Sequence, residues 1–552
     1  MAGLDRRDLE IISFFSVVFL ILASSNLGLL RTPSTYLQIM GPRDILLTFE
    51  QNKTIGSIYL LVGSNFGIGV KAYEEGNLTE ISNSRFEKGD YNWQKMDVNF
   101  KTDSLRLSFE SLNLKIYEIA IMDPSGERLN VLNARLEGLG SPEVQKLFDE
   151  QEFYDLPPTF ISQMYFDEIY FVGAAKDYLS LREPTEWTHP PLGKLIIALG
   201  IALFSYSPFG WRIIGVVFAA LMIPVIYILS KRVFKSTLAA TLSVMLLSFD
   251  FLHFSMARIG TVDTYLVFLS LVSVLFFYLS YESLTTTGKP IYKSIFLGIV
   301  FFSLAFAVKW TAVFGFLGQI ALMVIVGLKR LRRSDGFASV MRSIAKPVVM
   351  ILISLLIGGF VYISTFIPYM LIGHSLGDVY QAQLNIYGFH TGLTAGHPFA
   401  SAWWMWPFII KPLWMFYAQL NEGMVSTIVA MGNPAVWWLG LPSIFLALWR
   451  GLKKWNHKYL FVSVLFLFQW LPHALISRAL FIYHYYPAVP IMILASSGIL
   501  AEYWNNPKER RFILMYLISV IAIFVLFYPV ISGYPTPIWY RESLKWFRSW
   551  VF

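Results

Sequence analysis

Long apolar segments separated by polar loops dominate the chain, and they predict a polytopic α-helical membrane protein. Each long segment has enough apolar residues to cross a hydrocarbon core of about 30 Å as a helix. A shorter apolar run, 192–206, follows a His-Pro-Pro sequence, and we predict a re-entrant or in-plane helix there. The eleven predicted spans are 10–30, 211–230, 237–254, 261–281, 291–308, 310–328, 347–369, 434–449, 459–476, 484–501 and 512–531.

Apolar and polar residues alternate between the first two spans, in runs such as DILLTFEQ and LRLSFES. An alternation with a period of two, interrupted by Gly, Asn and Asp, predicts short β-strands. We therefore expect a small extracytoplasmic β-sandwich over roughly residues 40–135, in the first outer loop. The run KIYEIAIMDPSGERL resembles jelly-roll carbohydrate-binding modules, and a purely structural lid is the alternative.

These patterns divide the chain into six regions. In chain order they are the N-terminal tail and first helix (1–31), the β-rich domain (32–140), an outer loop that carries the motifs described below (141–210), a first group of transmembrane helices (211–369), a second large outer loop (370–433), and the C-terminal helices and tail (434–552).

The composition agrees with this pattern, because 55% of the residues are hydrophobic and only 14% are charged. Soluble domains carry about 25% charged residues, so an ordinary soluble enzyme and a disordered protein are both excluded. The formal net charge is +8. In a membrane protein such an excess reports topology, and we expect no nucleic-acid partner. The chain has no cysteine, which excludes disulfides, thiolate chemistry and cysteine-ligated zinc.

Basic residues predict the orientation of the helices, because cytoplasmic loops carry an excess of Lys and Arg. If 192–206 does not span, every basic cluster lies inside, with the N-terminus inside and the C-terminus outside. Ionisable residues at membrane depth are costly and indicate function, so we predict a site at the extracytoplasmic surface. The charged residues at the outer ends of the spans are Arg212, Arg258, Asp263, Lys309 and Arg478.

Two motifs in the outer loop contain candidate catalytic residues. Asp167 and Glu168 are adjacent carboxylates, so one can act as a base while the other is held structurally. Further along the loop, THPPLGK supplies His189 and Lys194. Taken singly, the two carboxylates fit a solvated pair near a helix start, and His-Pro-Pro fits a plain turn.

Together and in order, the motifs resemble the protein O-mannosyltransferase family of GT-C-type membrane glycosyltransferases. Family members often have Asp two residues before the HPPL histidine, whereas Trp187 occupies that position here and Glu186 precedes it. The β-trefoil insert of eukaryotic members is missing from the sequence, so the resemblance is to the prokaryotic type. Further matching segments are PFGWR (208–212), ARIGTVD (257–263), VKW (308–310), GHPFASAWWMWPF (396–408), MGNPAVWW (431–438) and the stretch from Ser477 to Pro487.

The resemblance implies an inverting transfer of a mannosyl group from a polyprenyl or dolichyl phosphate to Ser or Thr hydroxyls of proteins. The lipid-linked sugar phosphate is a co-substrate, so we expect no cofactor and no metal. The expected partners are this donor, an acceptor protein or glycan, membrane lipid and, as in other family members, a second chain in a dimer. We expect Asp167 to be the general base, with Glu168 positioning the acceptor or holding the loop.

The leaving phosphate is anionic, so it needs neutralising cations more than a proton. We expect Asp263 to orient Arg258, and a structural ion pair between them is the alternative. His189 and Lys194 are expected to support the site. The expected phosphate-binding residues are Arg212, Arg258, Lys309, Arg478 and, as a hydrogen-bond donor, His484; Lys309 alternatively extends to the membrane interface.

The second outer loop supplies the expected contacts to the sugar or the acceptor. These residues are His390, His397, Trp403 and Trp404. Sugar rings stack on tryptophan, but aromatic residues also favour the headgroup level, so an interfacial belt is the alternative.

Three rival functions fit parts of the pattern. The same enzyme chemistry could use a lipid-linked glycan or cell-envelope polymer as acceptor. A secondary transporter would show inverted repeats and helices that break at the midplane, and no repeat is visible. A receptor or scaffold that uses the β-rich domain would not need Asp167 for its function.

Overall fold

A computed structural model describes residues 4–64, 68–74, 79–86, 89–110, 113–136, 141–331, 337–420 and 423–552. Contacts group the chain into two compact units, which we call the helical unit and the β-rich unit. The helical unit contains Met1–Asn26, Ala174–Gly200 and Arg212–Phe552. The β-rich unit contains Leu27–Gly173 and Ile201–Trp211.

Apolar helices build the helical unit. Many of them are apolar on all sides, as expected of helices surrounded by lipid or by other helices. Short 3₁₀ helices form at Trp403–Phe408, Leu471–Leu475 and Ile482–Ala488. In chain order, the α-helices outside the β-rich domain are Arg6–Ser24, Glu168–Leu179, Leu192–Phe204, Pro208–Phe234, Thr237–Ser248, Phe251–Ala257, Asp263–Thr286, Tyr292–Val308, Ala312–Leu331, Phe337–Ser364, Ile367–Leu371, Leu376–Gly392, Pro434–Lys453, His457–Trp470, Val489–Tyr503, Pro507–Ser532 and Ile538–Ser543.

Each of the eleven predicted spans overlaps one or more helices. Within the described residues, seven helices are long and apolar enough to cross a membrane, and a bent pair of helices can form an eighth span. This shows a polytopic helical membrane protein, while the number eleven stays a prediction. Leu192–Phe204 has 13 residues and rises about 20 Å. That length is short of the hydrocarbon thickness of about 30 Å, as expected of a helix that does not span.

The bent pair has a polar residue at its break. Thr237–Ser248 and Phe251–Ala257 meet at an angle of 58°, and Asp250 caps the second helix by accepting from the His253 amide at 3.0 Å. The same carboxylate accepts from Trp437 Nε1 at 2.7 Å. Asn433 donates to the Phe249 carbonyl at 2.9 Å. The predicted continuous span 237–254 is therefore two helices, because these buried bonds satisfy the backbone groups that the break exposes.

Eight strands in the β-rich unit form one hydrogen-bonded sheet. The two longest strands, Arg43–Ser64 and Gly89–Phe109, pair antiparallel. Alternate residues such as Ile45, Leu60 and Leu107 form its buried apolar core. The strands occupy the predicted region, and their arrangement as a two-layer sandwich stays a prediction. The other six strands are Leu37–Met40, Ile68–Glu74, Thr79–Phe86, Asn113–Met122, Arg128–Leu129 and Asn133–Leu136.

The second outer loop also contains strands, which the sequence analysis did not predict. Leu413–Gln419 pairs with Met424–Ala430, and Thr536–Pro537 from the C-terminal tail adds a third strand. Further along the tail, Trp550 Nε1 donates to the Ile409 carbonyl at 2.7 Å. The tail therefore returns to the loop that carries the tryptophans.

Candidate active site

A cavity of about 410 Å³ lies in the helical unit where four segments of the chain meet. These segments are the His-Pro turn, the junction after Tyr292–Val308, the end of Leu376–Gly392, and the loop after Leu471–Leu475. Four of the predicted site residues thus line the same cavity, although they come from distant parts of the sequence. They are His189, Lys309, His390 and Arg478. The lining residues are His189, Pro190, Lys309, Trp310, Thr311, Val313, Phe314, Ile386, His390, Thr391, Leu475, Ile476, Ser477 and Arg478.

Arg478 supplies the cavity with an uncompensated positive charge. Its side chain is half-buried in the loop between two 3₁₀ helices, and no ion pair to it occurs among the described residues. Burial lowers the pKa of Arg478, while Tyr483 and Asp263 oppose this shift. The guanidinium nevertheless stays protonated in a protein. A planar cation without a carboxylate partner can bind a phosphate through two parallel hydrogen bonds.

Lys309 provides a second cation, and this one has a partner. It ends Tyr292–Val308 in an extended conformation, and its Nζ lies 2.9 Å from Asp263 Oδ1. Nζ also lies 5.3 Å from the centroid of the Tyr483 ring. The expected partner of Asp263 was Arg258, whereas the structure pairs Asp263 with Lys309. Asp263 therefore fixes the position of a lysine that lines the cavity.

Glu186 joins the two residues of the HPPLGK motif. Its Oε2 accepts from Lys194 Nζ at 2.7 Å, and its Oε1 lies 3.0 Å from His189 Nδ1. Lys194 also donates to the carbonyls of Glu186 and His189, at 2.8 Å each. Burial alone would raise the pKa of Glu186, but the charges of Lys194 and His189 outweigh burial and hold it well below its usual range. Glu186 was absent from the predicted site, although its position before the histidine was a visible signal.

His390 contributes a neutral imidazole to the cavity. Its Nε2 lies 2.8 Å from the Thr188 carbonyl, so this nitrogen carries the proton. Burial lowers the pKa of His390 to about 4, and the charges of His189 and Arg478 act in the same direction. Nδ1 is buried and has no hydrogen-bond partner in the part of the chain that the structure describes. It is therefore an acceptor that a hydroxyl group of a ligand can satisfy.

His484 lies beside Lys309 in a second, smaller cavity that Asp263 and His473 also line. The His484 ring stacks on Tyr483 at 4.6 Å and lies nearly parallel to Trp406 at 6.2 Å. Trp406 also contacts His473 edge-on at 5.1 Å. The predicted set did not include Trp406 and His473. Trp406 belongs to the tryptophan run, but the sequence does not show which of its rings points inward.

Arg258 has a different setting from the one expected. Its terminal nitrogens donate to the carbonyls of Ala23, Ser25 and Asn26 at 2.6–2.9 Å and to Ser532 at 3.3 Å. These carbonyls lie at or near the ends of two helices, where carbonyl groups lack helical partners. This arrangement is structural and does not place Arg258 at the cavity. Arg212 is also fully buried, near the start of Pro208–Phe234, and does not line the cavity.

Asp167 and Glu168 lie at the start of Glu168–Leu179 in the β-rich unit. Glu168 is fully buried, and its Oε2 accepts from the Tyr165 amide at 3.2 Å. Asp167 is partly exposed, and its carbonyl accepts from the Tyr170 amide at 3.1 Å. One carboxylate of the pair is thus buried and bonded to the loop, and solvent can reach the other. The role of Asp167 as a base stays a prediction.

The remaining predicted loop residues lie outside the lining of the cavity. His397 is exposed, and its Nδ1 accepts from the Phe399 amide at 3.2 Å. Trp403 packs edge-on against Trp470 at 5.2 Å. Trp404 is 51% exposed, which fits the interfacial belt better than a buried sugar contact.

Family profiles match both halves of the helical unit. Residues 188–357 match the family described as dolichyl-phosphate-mannose-protein mannosyltransferase. Residues 375–550 match the C-terminal four TMM region of protein-O-mannosyltransferase. Together the two matches cover more than half of the chain and include every residue that lines the cavity.

Characterised relatives and a solved structure agree with these matches. A polyprenol-phosphate-mannose–protein mannosyltransferase of Mycobacterium tuberculosis is 26% identical over 432 residues, which cover 66% of this chain and 80% of the relative. An enzyme of the same name from Corynebacterium glutamicum is 25% identical over 66% of this chain and 81% of its own. A chain of the S. cerevisiae protein O-mannosyltransferase Pmt1-Pmt2 complex bound to the sugar donor has a similar fold, with a TM-score of 0.61 and 13% identity over 70% of this chain and 89% of that chain. The chain belongs to the protein O-mannosyltransferase family of membrane glycosyltransferases.

Proposed function

We propose that this protein transfers a mannosyl group from a polyprenyl phosphate to Ser or Thr hydroxyls of proteins, at the extracytoplasmic face of the membrane. The observation that carries this assignment is the cavity in which Arg478 has no carboxylate partner among the described residues while Lys309 is held by Asp263. The relatives named above act on donors and acceptors of these classes.

The donor phosphate is assigned to Arg478 and Lys309. When the bond between the sugar C1 and the phosphate oxygen breaks, the electron pair stays on the phosphate. The two cations stabilise that charge most where it develops, because they are already in position and partly desolvated. Arg258 is left out of this assignment because helix-end carbonyls take up its terminal nitrogens.

The sugar and its leaving group also need neutral contacts. His390 Nδ1 accepts a hydrogen bond from a hydroxyl of the sugar or of the acceptor, since this nitrogen has no partner within the described ranges. Glu186 holds His189 at the cavity wall through the 3.0 Å contact to its Nδ1. These residues position the substrate, and no proton transfer is assigned to them.

Asp167 is proposed as the general base, on the strength of the sequence motif. It removes the proton from the acceptor hydroxyl as that oxygen attacks C1 from the face opposite to the phosphate, which gives inversion. Glu168 holds the loop through the Tyr165 amide. A base in this role typically contributes about 10²–10⁴ in rate. Pairing with a second family member stays a prediction.

A transfer assay tests the proposal. Membranes that contain the protein are incubated with radiolabelled polyprenyl-phosphate mannose, and label is followed into material that protease digests. Wild-type protein should label protein, and Asp167→Asn should lose transfer. The exposed Asp155 offers a matched control, and Asp155→Asn should transfer as the wild type does. Label that enters only protease-resistant polymer, or full transfer by Asp167→Asn, would contradict the assignment.

A further inference from the structure

Three carboxylates meet on one side of the β-rich unit. One oxygen each of Glu118, Asp149 and Glu150 lies within 4.8 Å of the other two. Glu118 and Glu150 are buried and Asp149 is exposed. Glu118 lies between Ile119 and Tyr117 on the strand Asn113–Met122, and the adjacent Ile119 belongs to the apolar core. Neighbouring strand residues point to opposite faces, so Glu118 lies on the face away from that core.

Neighbouring residues hold the three carboxylates in place. The Glu150 carboxylate accepts from the amides of Ser34 and Thr35 at 2.7 and 2.9 Å, and from both of their hydroxyls. The Thr35 hydroxyl also lies 3.0 Å from Asp149 Oδ1. Gln151 Nε2 donates to Glu118 Oε1. The cluster is therefore preorganised by hydrogen bonds from uncharged groups.

One buried oxygen of this cluster and one buried hydroxyl near it lack partners within the described part of the chain. They are Glu118 Oε2 and the Tyr154 hydroxyl, on side chains that are 0% and 5% exposed. Leu61 pairs with Trp93 on one side and with Glu118 on the other, and the Tyr154 ring lies 4.5 Å from the Trp93 ring. A buried oxygen without a partner is costly, and a second observation beyond the acidic cluster thus points to a missing ligand.

We propose that Glu118, Asp149 and Glu150 bind a divalent cation, with Ca²⁺ as the best match. Ca²⁺ prefers oxygen ligands at about 2.3–2.6 Å, so ligands on opposite sides of the ion are about 5 Å apart. That separation matches the spread of the three carboxylates. Glu118 Oε2 gains a partner, the exposed Asp149 gives the ion access from solvent, and water completes the coordination.

None of these three carboxylates has a role in the proposed transfer, and the ion is assigned no catalytic role. The ion ties the segment that contains Asp149 and Glu150 to the strand that contains Glu118, beside the bond from the Ile119 amide to the Leu147 carbonyl at 2.8 Å. Ca²⁺ binding should therefore stabilise the β-rich unit without changing the reaction.

Terbium luminescence tests the site on the full-length protein in detergent. After EGTA treatment, Tb³⁺ should give saturable luminescence on tryptophan and tyrosine excitation, because Trp93 and Glu118 flank the same residue, Leu61, in the sheet and the Tyr154 ring lies 4.5 Å from the Trp93 ring. Ca²⁺ should displace the Tb³⁺ and should raise the midpoint of thermal unfolding. Glu118→Gln should weaken binding by at least about tenfold, a loss seen even for partners that only support a metal ligand.

Matched variants make the outcome decisive. Asp103 is an exposed carboxylate on a strand of the same sheet, and Asp103→Asn should bind Tb³⁺ as the wild type does. Asp149→Asn removes an exposed ligand and should weaken binding even if Glu118→Gln does not fold. The proposal fails if the wild type shows no saturable signal that Ca²⁺ displaces, or if both ligand variants bind as tightly as the wild type. Either failure would leave the transfer assay, and the function it tests, untouched.

Discussion

At the residue scale, Glu186 is the most connected group near the cavity. Its carboxylate faces a buried ammonium at 2.7 Å and an imidazole nitrogen at 3.0 Å. Because Lys194 is 1% exposed, it depends on this carboxylate for its charge balance. A buried charge that loses its partner destabilises a protein strongly, whereas removing both charges costs much less.

Glu186→Gln should therefore destabilise the protein by about 3–5 kcal/mol, the usual effect of breaking a buried pair. The double variant with Lys194→Met should recover much of this loss, because it removes the stranded ammonium. Thermal unfolding of both variants in detergent measures the difference. If the double variant is less stable than Glu186→Gln alone, the pair does not act as a charge balance.

The same carboxylate predicts a pH dependence. The pKa of Glu186 is lower in the folded protein than its ordinary value of 4.5. The contribution of the Glu186 charge to the free energy of unfolding is therefore complete above pH 4.5 and is lost as the pH falls below that value. The difference in unfolding midpoint between wild type and Glu186→Gln should shrink on acidification from pH 6 to about pH 3. The exposed Glu143 supplies the control, and Glu143→Gln should follow the wild-type curve.

Arg478 allows a direct test of the phosphate site. Arg478→Ala should lower transfer by roughly 10²–10³, the usual effect of removing one preorganised group that stabilises developing charge. Arg478→Lys should recover part of the rate, because it restores the charge but not the planar pair of donors. Arg182→Ala removes an exposed arginine and should leave the rate unchanged. Equal transfer rates for Arg478→Ala and wild type would show that Arg478 does not bind the donor phosphate.

The sequence motifs brought Lys309, Arg478, His189 and His390 into one predicted site, and the structure places all four on one cavity wall. The roles within the set were harder to predict. Asp263 is five positions from Arg258 in sequence, but a pairing with the distant Lys309 depends on how two helices pack. Likewise, Trp406 faces His484 only because the helix Trp403–Phe408 turns its second and third tryptophans to different sides.

At the element scale, hydrophobic patterning found the apolar helices but not their breaks. Asp250 stands inside an apolar run, and hydropathy alone reads such a run as continuous. The break forms because Asp250 and Asn433 supply buried hydrogen bonds to helix ends, and Asn433 is far away in the sequence. The hairpin of Leu413–Gln419 and Met424–Ala430 was missed for a related reason. Its residues are apolar without strict alternation, so the loop gave no strand signal of period two.

The C-terminal tail should hold the tryptophan loop in place. Trp550 is buried, and it donates to the carbonyl of Ile409, which has a left-handed backbone at the end of Trp403–Phe408. Trp550→Phe should lower stability by about 1–3 kcal/mol, because the Ile409 carbonyl loses its partner while buried. Trp539 is 70% exposed, and Trp539→Phe should not change the unfolding midpoint. Equal midpoints for the two variants would show that the tail does not stabilise the loop.

At the scale of the whole molecule, ion pairs join the helix ends that the charge pattern assigns to the cytoplasm. Lys231 pairs with Asp8 near the N-terminus, and Arg450 pairs with Glu502 at 2.6 Å. The Tyr281 hydroxyl donates to the His457 carbonyl at 3.1 Å. Helix ends that are far apart in sequence thus meet on one side of the bundle. That this side is the cytoplasmic one stays a prediction from the charge pattern.

The missing cysteines make this topology directly testable, because every thiol label then reports a single introduced position. Thr394→Cys lies in the second outer loop and Arg548→Cys in the tail, and both should react with a membrane-impermeant maleimide in intact cells. Arg6→Cys and Lys454→Cys should react only after permeabilisation. All four positions are exposed, and the unmodified chain is the blank.

An N-terminus and a C-terminus on opposite sides require an odd number of spans, so Arg6→Cys and Arg548→Cys together test the parity of the chain. If both label from outside, or neither does, the number of spans is even. Leu192–Phe204 would then be the first helix to reconsider, because counting it as a span reverses the side of every later loop. If neither terminus labels from outside, Thr394→Cys would then also be protected, and the cavity residues that follow this helix would face the cytoplasm. If both termini label, Thr394→Cys would label as well.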